Sequence, residues 1–150
     1  MFKSLSNAHH EDVGTGGNWN SFAYIEKQQG QFTSAYADKA RISYILKDEM
    51  AANPAAVGGL LFCASNSATL DSTTPSNNDD NIISASAGRL GGGVVSLALN
   101  RIIRENEADD DSGQGRIYLF VRSTDMDSSD TVDLHTITEC WGRWHKVVSL

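Results

Sequence analysis

Proline and cysteine are almost absent from this 150-residue chain, with two of each, and cations are in the minority, 12 Lys and Arg against 19 Asp and Glu. Each shortage excludes something. Cys63 and Cys140 are too few for a disulfide framework. They lie far apart inside apolar or aromatic segments, so buried free thiols are expected. A net charge of −7 excludes a protein that coats nucleic acid by charge alone. Residues 1–30 hold only Lys3 and Lys27 against Glu11, Asp12 and Glu26, so no basic arm is available to neutralise phosphates. Long apolar runs are missing too. Ala55–Ala64 is broken by Gly58 and Gly59, and Leu90–Leu99 by three glycines and Ser96, both well short of the roughly 18 residues that cross a bilayer. The first twelve residues carry one lysine and no apolar core, unlike a signal peptide, and no Asn-x-Ser/Thr sequon occurs, so synthesis in a cytoplasm is expected.

What is present is glycine (13 residues), with many Ser, Thr, Asn and Asp, the composition of a turn-rich chain. The length suits a single domain, and such a domain buries roughly 70% of its unfolded surface without help from a disulfide or metal. Residues 1–18 are polar and Gly-rich and read as a flexible N-terminal arm, with one folded domain over 19–150. In Ala40–Lys47, Ile42, Tyr44 and Leu46 alternate with Arg41, Ser43 and Ile45, the period of a strand. Val57–Ala64 is continuously apolar and fits a strand buried on one or both faces. Ser65–Asn81 is a polar loop, Ile82–Ser86 a short strand and Gly88–Gly93 a bend. Val94–Arg104 alternates like a strand at Val95, Leu97 and Leu99, while Leu99, Ile102 and Ile103 would also suit a helix face; strand is favoured. Arg116–Arg122 is rich in β-branched and aromatic residues and is the strongest strand. Thr131–Val148 reads as one long strand or a pair, with Val132, Leu134, Thr136, Thr138 and Cys140 on one face and Gly142 offering a bend or bulge. The sum is an all-β, antiparallel β-sandwich of jelly-roll type, about eight strands with long polar loops.

Nine of the 19 acidic residues fall between Glu105 and Asp133. If the two loops that carry them met at one end of the sandwich, they could supply oxygens to Ca²⁺, with Asp109, Asp110 and Asp111 as the candidate ligands. An EF-hand is excluded, because the twelfth position from Asp109 is Phe120. His135, Cys140 and His145 recur at intervals of five, but an odd interval on a strand turns Cys140 away from both histidines, and no Cys-x-x-Cys accompanies them, so zinc is not expected. His9-His10-Glu11-Asp12 reads as exposed polar chain. No Gly-x-Ser-x-Gly elbow is present, and Gly88–Gly93 leads into Val-Val-Ser rather than Lys-Ser/Thr, so neither a nucleophile elbow nor a phosphate-binding loop is found and no catalytic residue is assigned. Trp19, Trp141 and Trp144, with Tyr24 and Tyr36, could form a sugar-stacking platform. Aromatic residues also anchor contacts between subunits, which makes Trp19, Phe22, Trp141 and Trp144 the candidate interface residues.

The order of a polar arm, strands with long loops, Gly115-Arg-Ile-Tyr-Leu-Phe-Val-Arg-Ser-Thr-Asp125 and a closing Trp-Gly-Arg-Trp-His-Lys-Val resembles the C-terminal half of small single jelly-roll viral capsid proteins. The likeness covers 82–150 by pattern and 20–65 by strand rhythm. It implies a shell-forming subunit found in the virion and assembled in the host cytoplasm, partnered by copies of itself or other capsid subunits, with the arm reaching across an interface. Lacking a basic arm, such a subunit would not bind the genome directly. It would suit a coat over an internal membrane, or a decoration protein. The alternative is a glycan-binding module, lectin-like or from a tail-fibre tip, using tryptophans and acidic loops with Ca²⁺. An enzyme on a cupin-like barrel would need paired histidines and a carboxylate that the four histidines here do not offer.

Overall fold

Alternation of apolar and polar residues is what places the strands. In the computed structural model, which describes residues 1–13, 19–30, 32–46, 60–70, 82–89, 91–108, 112–123 and 132–150, every regular element is a strand. They are β1 (Phe2–Val13), β2 (Asn20–Lys27), β3 (Ala35–Leu46), β4 (Leu60–Ser65), β5 (Ile82–Gly88), β6 (Gly92–Ile103), β7 (Ile117–Ser123), β8 (Val132–Arg143) and β9 (His145–Ser149). Two antiparallel sheets result, one in the order β1-β8-β3-β6 and the other β5-β4-β7-β2-β9. The chain is a β-sandwich.

Pairing is nested. β4 pairs with β5, β3 with β6, β2 with β7 and β1 with β8, all antiparallel, as though a long ribbon had been doubled back and folded over. The sheets are completed by β3–β8, β4–β7 and β2–β9. The registers fix two ends of the sandwich. At the far end, Val13 lies opposite Val132, Ile45 opposite Gly92, and Leu60 opposite both Gly88 and Ser123. Strands β3 and β7 therefore end there, and β4 and β8 begin there. At the other end, Phe2 faces Gly142, Ala35 faces Ile103 and Lys27 faces His145.

The core lies between the sheets. Phe22, Ile25, Ile42, Phe62, Leu97, Ile103, Ile117, Leu119 and Leu134 are essentially inaccessible to water, with Phe22 edge-on to Phe62 at 6.1 Å between ring centroids. Strand β6 buries Val95, Leu97 and Leu99 and exposes Val94, Ser96 and Ala98. That settles the ambiguous 94–104 segment as strand. Its helix-like spacing near the end comes from a bulge: Leu99 and Asn100 together oppose Asp38, Asn100 takes φ 48°, and Arg101 swings out to solvent instead of inward. β4 and β7 are buried on both faces, as their unbroken apolar runs require.

One expectation needs correction here. Residues 2–13, read as part of a flexible arm, form β1, a 12-residue edge strand along β8. Polar composition misled here because an edge strand meets the core on one side only. Of the two readings left open for the closing segment, the pair is found, with β8 and β9 in different sheets and the chain crossing between them at Trp144. β3 also begins at Ala35, five residues before the alternation in the sequence becomes clear.

Candidate interaction site

The crossing from β8 to β9 forms a corner built of Gly142, Arg143, Trp144 and His145. A Cβ on Gly142 would run into the backbone carbonyl of Tyr36 on β3, so no other residue fits. Trp144 then turns the chain with φ 53°, a conformation that a bulky side chain seldom adopts. Neighbours hold it there. The Gln28 N–H donates to the Trp144 carbonyl at 2.8 Å, and the Gln28 side-chain amide donates to the His145 carbonyl at 3.0 Å. The indole stacks on Phe32 at 4.6 Å with 14° between the planes, yet stays 43% exposed. His145 is buried and its Nε2 bonds the Cys140 carbonyl at 2.8 Å, while Nδ1 has no partner. Burial lowers its pKa, opposed by the bond to that carbonyl.

Beside the corner lies an open cleft of about 440 Å³ lined by Met1, Ser34, Ala35, Tyr36, Ile102, Arg143 and Trp144. Its wall is mostly apolar, with Met1 and Ile102 exposed and Phe2, the most exposed large apolar residue among those described, next in the chain. The Tyr36 hydroxyl donates to Asn100 Oδ1 at 2.7 Å and lies 3.2 Å from Asp38 Oδ1, which fixes the ring. Desolvation, then the bond and charge of Asp38, raise its pKa, so it remains a neutral phenol. Arg143 is the one charged residue of the described lining, and exposed Arg101 lies next to Ile102 in the chain.

The outer face of the four-stranded sheet continues from this cleft. Trp141 carries three cations around its ring, Lys39 at 5.0 Å, Arg41 at 5.4 Å and Lys3 at 6.0 Å. Glu139 ties Arg41 at 2.7 Å and Lys3 at 3.0 Å, and their bonds hold its carboxyl below the usual range. The opposite face, on the five-stranded sheet, is closed by its own chain. Trp19 meets Phe120 edge-on at 6.5 Å, and Tyr118, Phe120 and Cys63 are covered by Ala68, Leu70 and Ala108. The Arg122 guanidinium lies 5.4 Å from the Trp19 ring.

The aromatic residues singled out in the sequence thus separate. Phe22 is 1% exposed in the core and cannot touch another subunit, a correction to its place among the interface candidates. The inward parity of β2 decides this, and residue type alone does not carry it. Trp19 is spent on its own sheet, Trp141 lies among cations, and Trp144 with Tyr36 reaches an open cleft. The five aromatics do not make one sugar platform. Asp109, Asp110 and Asp111 lie outside the described residues. Among the described residues no group of three or more potential ligands gathers to hold a metal. Cys140 faces the core while His135 is on the outer side, as the alternation implied. The corner breaks the alternation for His145, which returns to bond the Cys140 backbone. Ile102 and Arg143 escaped the sequence reading, because nothing local says that strands 40 residues apart will place them on one cleft. No family model matches the chain, and no curated protein matches it.

Proposed function

We propose that this chain is a structural subunit of a virus capsid, self-assembling with copies of itself or with other coat subunits, and that it does not bind the genome directly. The observation that carries this reading is the nested pairing of β1 to β8, which supports a jelly-roll winding, the architecture common among viral coats and lectins. The likeness of 82–150 to small single jelly-roll coats points the same way. Its place is then the virion, after assembly in the host cytoplasm, either over an internal membrane or as decoration.

The test is native mass by light scattering with electron microscopy of the same fraction. Particles, rings or capsomer-sized oligomers are the expected result. A monomer indifferent to concentration, salt and Ca²⁺ overturns self-assembly. A glycan-binding module is then the second reading, favoured by the placement of Trp144 and Tyr36 on one open cleft. Titration with oligosaccharides, followed by tryptophan fluorescence, tests it.

A further inference from the structure

We infer that β6 pairs edge to edge with β6 of a second copy of this chain, antiparallel about a two-fold axis, so that two four-stranded sheets join into one. The inference rests on the self-assembly reading and names the strand that performs it.

Four strands end the two sheets, β1 and β6 in one and β5 and β9 in the other. An edge strand presents a row of unpaired N–H and C=O groups, a template for any further strand. Proteins that must stay apart blunt such edges with lysine, bulges or brevity. Three of the four edges are blunted in these ways. β1 carries Lys3 and breaks register between His10 and Val13. β9 is five residues long and holds Lys146. β5 slips register opposite Ala64 and Ser65, which leaves only 84–88 in unbroken pairing. β6 is different. Over 92–98 it reads Gly-Gly-Val-Val-Ser-Leu-Ala, with no charge and no proline. It pairs with β3 without a break from Gly92, opposite Ile45, to Ala98, opposite Lys39. Among the described residues no strand lies on its other side.

The chemistry of this edge selects a second copy of itself. Antiparallel pairing about a two-fold axis sets residues of the same face opposite one another. Val94, Ser96 and Ala98 then meet their counterparts on the outer face, and Val95 and Leu97 meet theirs on the core face. No charged side chain enters the paired stretch from either copy, so nothing in it repels its own image. The edge also leaves apolar surface open. Val94 is 60% exposed, and Ile45, opposite the bare Gly92, is 62% exposed. A strand laid alongside β6 covers Val94, and its side chain opposite Gly92 reaches toward Ile45. The stretch has a natural end too. Beyond Ala98 the bulge at Leu99 and Asn100 turns the strand, with φ 48° at Asn100, and Arg101 stands out in solvent. Such a contact is isologous and closes as a dimer, the unit from which larger assemblies grow through other surfaces.

The experiment uses the full chain and places charge at Ser96, an exposed position on the outer face. Sedimentation velocity follows wild type, Ser96→Lys, Ser96→Asp and an equimolar mixture of the two variants, and thermal melts confirm that each is folded. Each variant alone brings like charges together across the axis, and should need at least about tenfold more protein than wild type for the same association. The mixture sets Lys against Asp and should recover the wild-type association, now weakened by salt. If wild type assembles and both variants assemble equally well, this inference falls and the self-assembly reading stands. If each variant is impaired but the mixture is no better than either alone, the contact is not between two copies of β6 and the inference also falls. A wild type that stays monomeric overturns both. Should either Ser96 variant fail to fold, Ala98→Lys and Ala98→Asp, at the next exposed position of the same face, are read in the same way.

Discussion

His145 shows how a single buried atom can set a pH response. A carbonyl only accepts, so Nε2 must carry the proton donated to Cys140, which leaves Nδ1 as a buried acceptor without a donor. Protonating Nδ1 would add a buried charge and turn the unmet acceptor into an unmet donor. Burial accordingly holds the pKa below the ordinary 6.5. In the unfolded chain the group takes a proton near 6.5, so its contribution to stability is full above that value and is lost as pH falls toward the lowered folded pKa. The melting temperature should fall as pH drops below the ordinary 6.5, and His145→Asn should flatten that slope; an unchanged slope would refute the assignment. Glu139 acts in a separate window. Its folded pKa lies below the ordinary 4.5 because of Arg41 and then Lys3, so its contribution persists until pH falls below that value. The Cys140 thiol is pushed up to about 12 by burial, and Cys63 is equally inaccessible. Neither should react with a thiol reagent near pH 8 until the chain unfolds. Phe22→Ala should cost about 4 kcal/mol in urea denaturation through a cavity against Phe62, without any specific change in assembly.

Among the elements, β1 and the β8–β9 corner depart most from the sequence reading, and both are open to test. Were 1–13 a free arm, its deletion would leave the melt unchanged. As β1 it covers one edge of β8 with a pairing from Phe2 to Val13, so deletion should leave β8 unpaired on that side and largely abolish cooperative folding. Circular dichroism with temperature distinguishes the two. At the corner, Gly142→Ala forces a Cβ against the Tyr36 carbonyl, backbone that cannot move aside without disturbing β3. A loss of about 3 kcal/mol is expected from the same measurement.

For the whole molecule, the decisive property is how distant segments are brought together. β1 meets β8 only after nearly the entire chain has been laid down, with Ser4 opposite Cys140. Closing such long loops before their contacts form makes folding slow, in the range of milliseconds to seconds, and stopped-flow refolding should show it.

Strand identity was decided locally, because the period of two in 40–46 and 94–99 and the unbroken runs at 60–64 and 117–121 state which faces are buried before any partner is known. So was the sandwich class, since half-buried strands without amphipathic helices have to close on each other. Tertiary structure alone decided the rest. Phe22 and Trp144 are both aromatic, yet inward parity buries one and a corner with φ 53° leaves the other open. The cleft draws Tyr36, Ile102 and Arg143 from β3, β6 and β8, a meeting fixed by strand order, which periodicity does not encode.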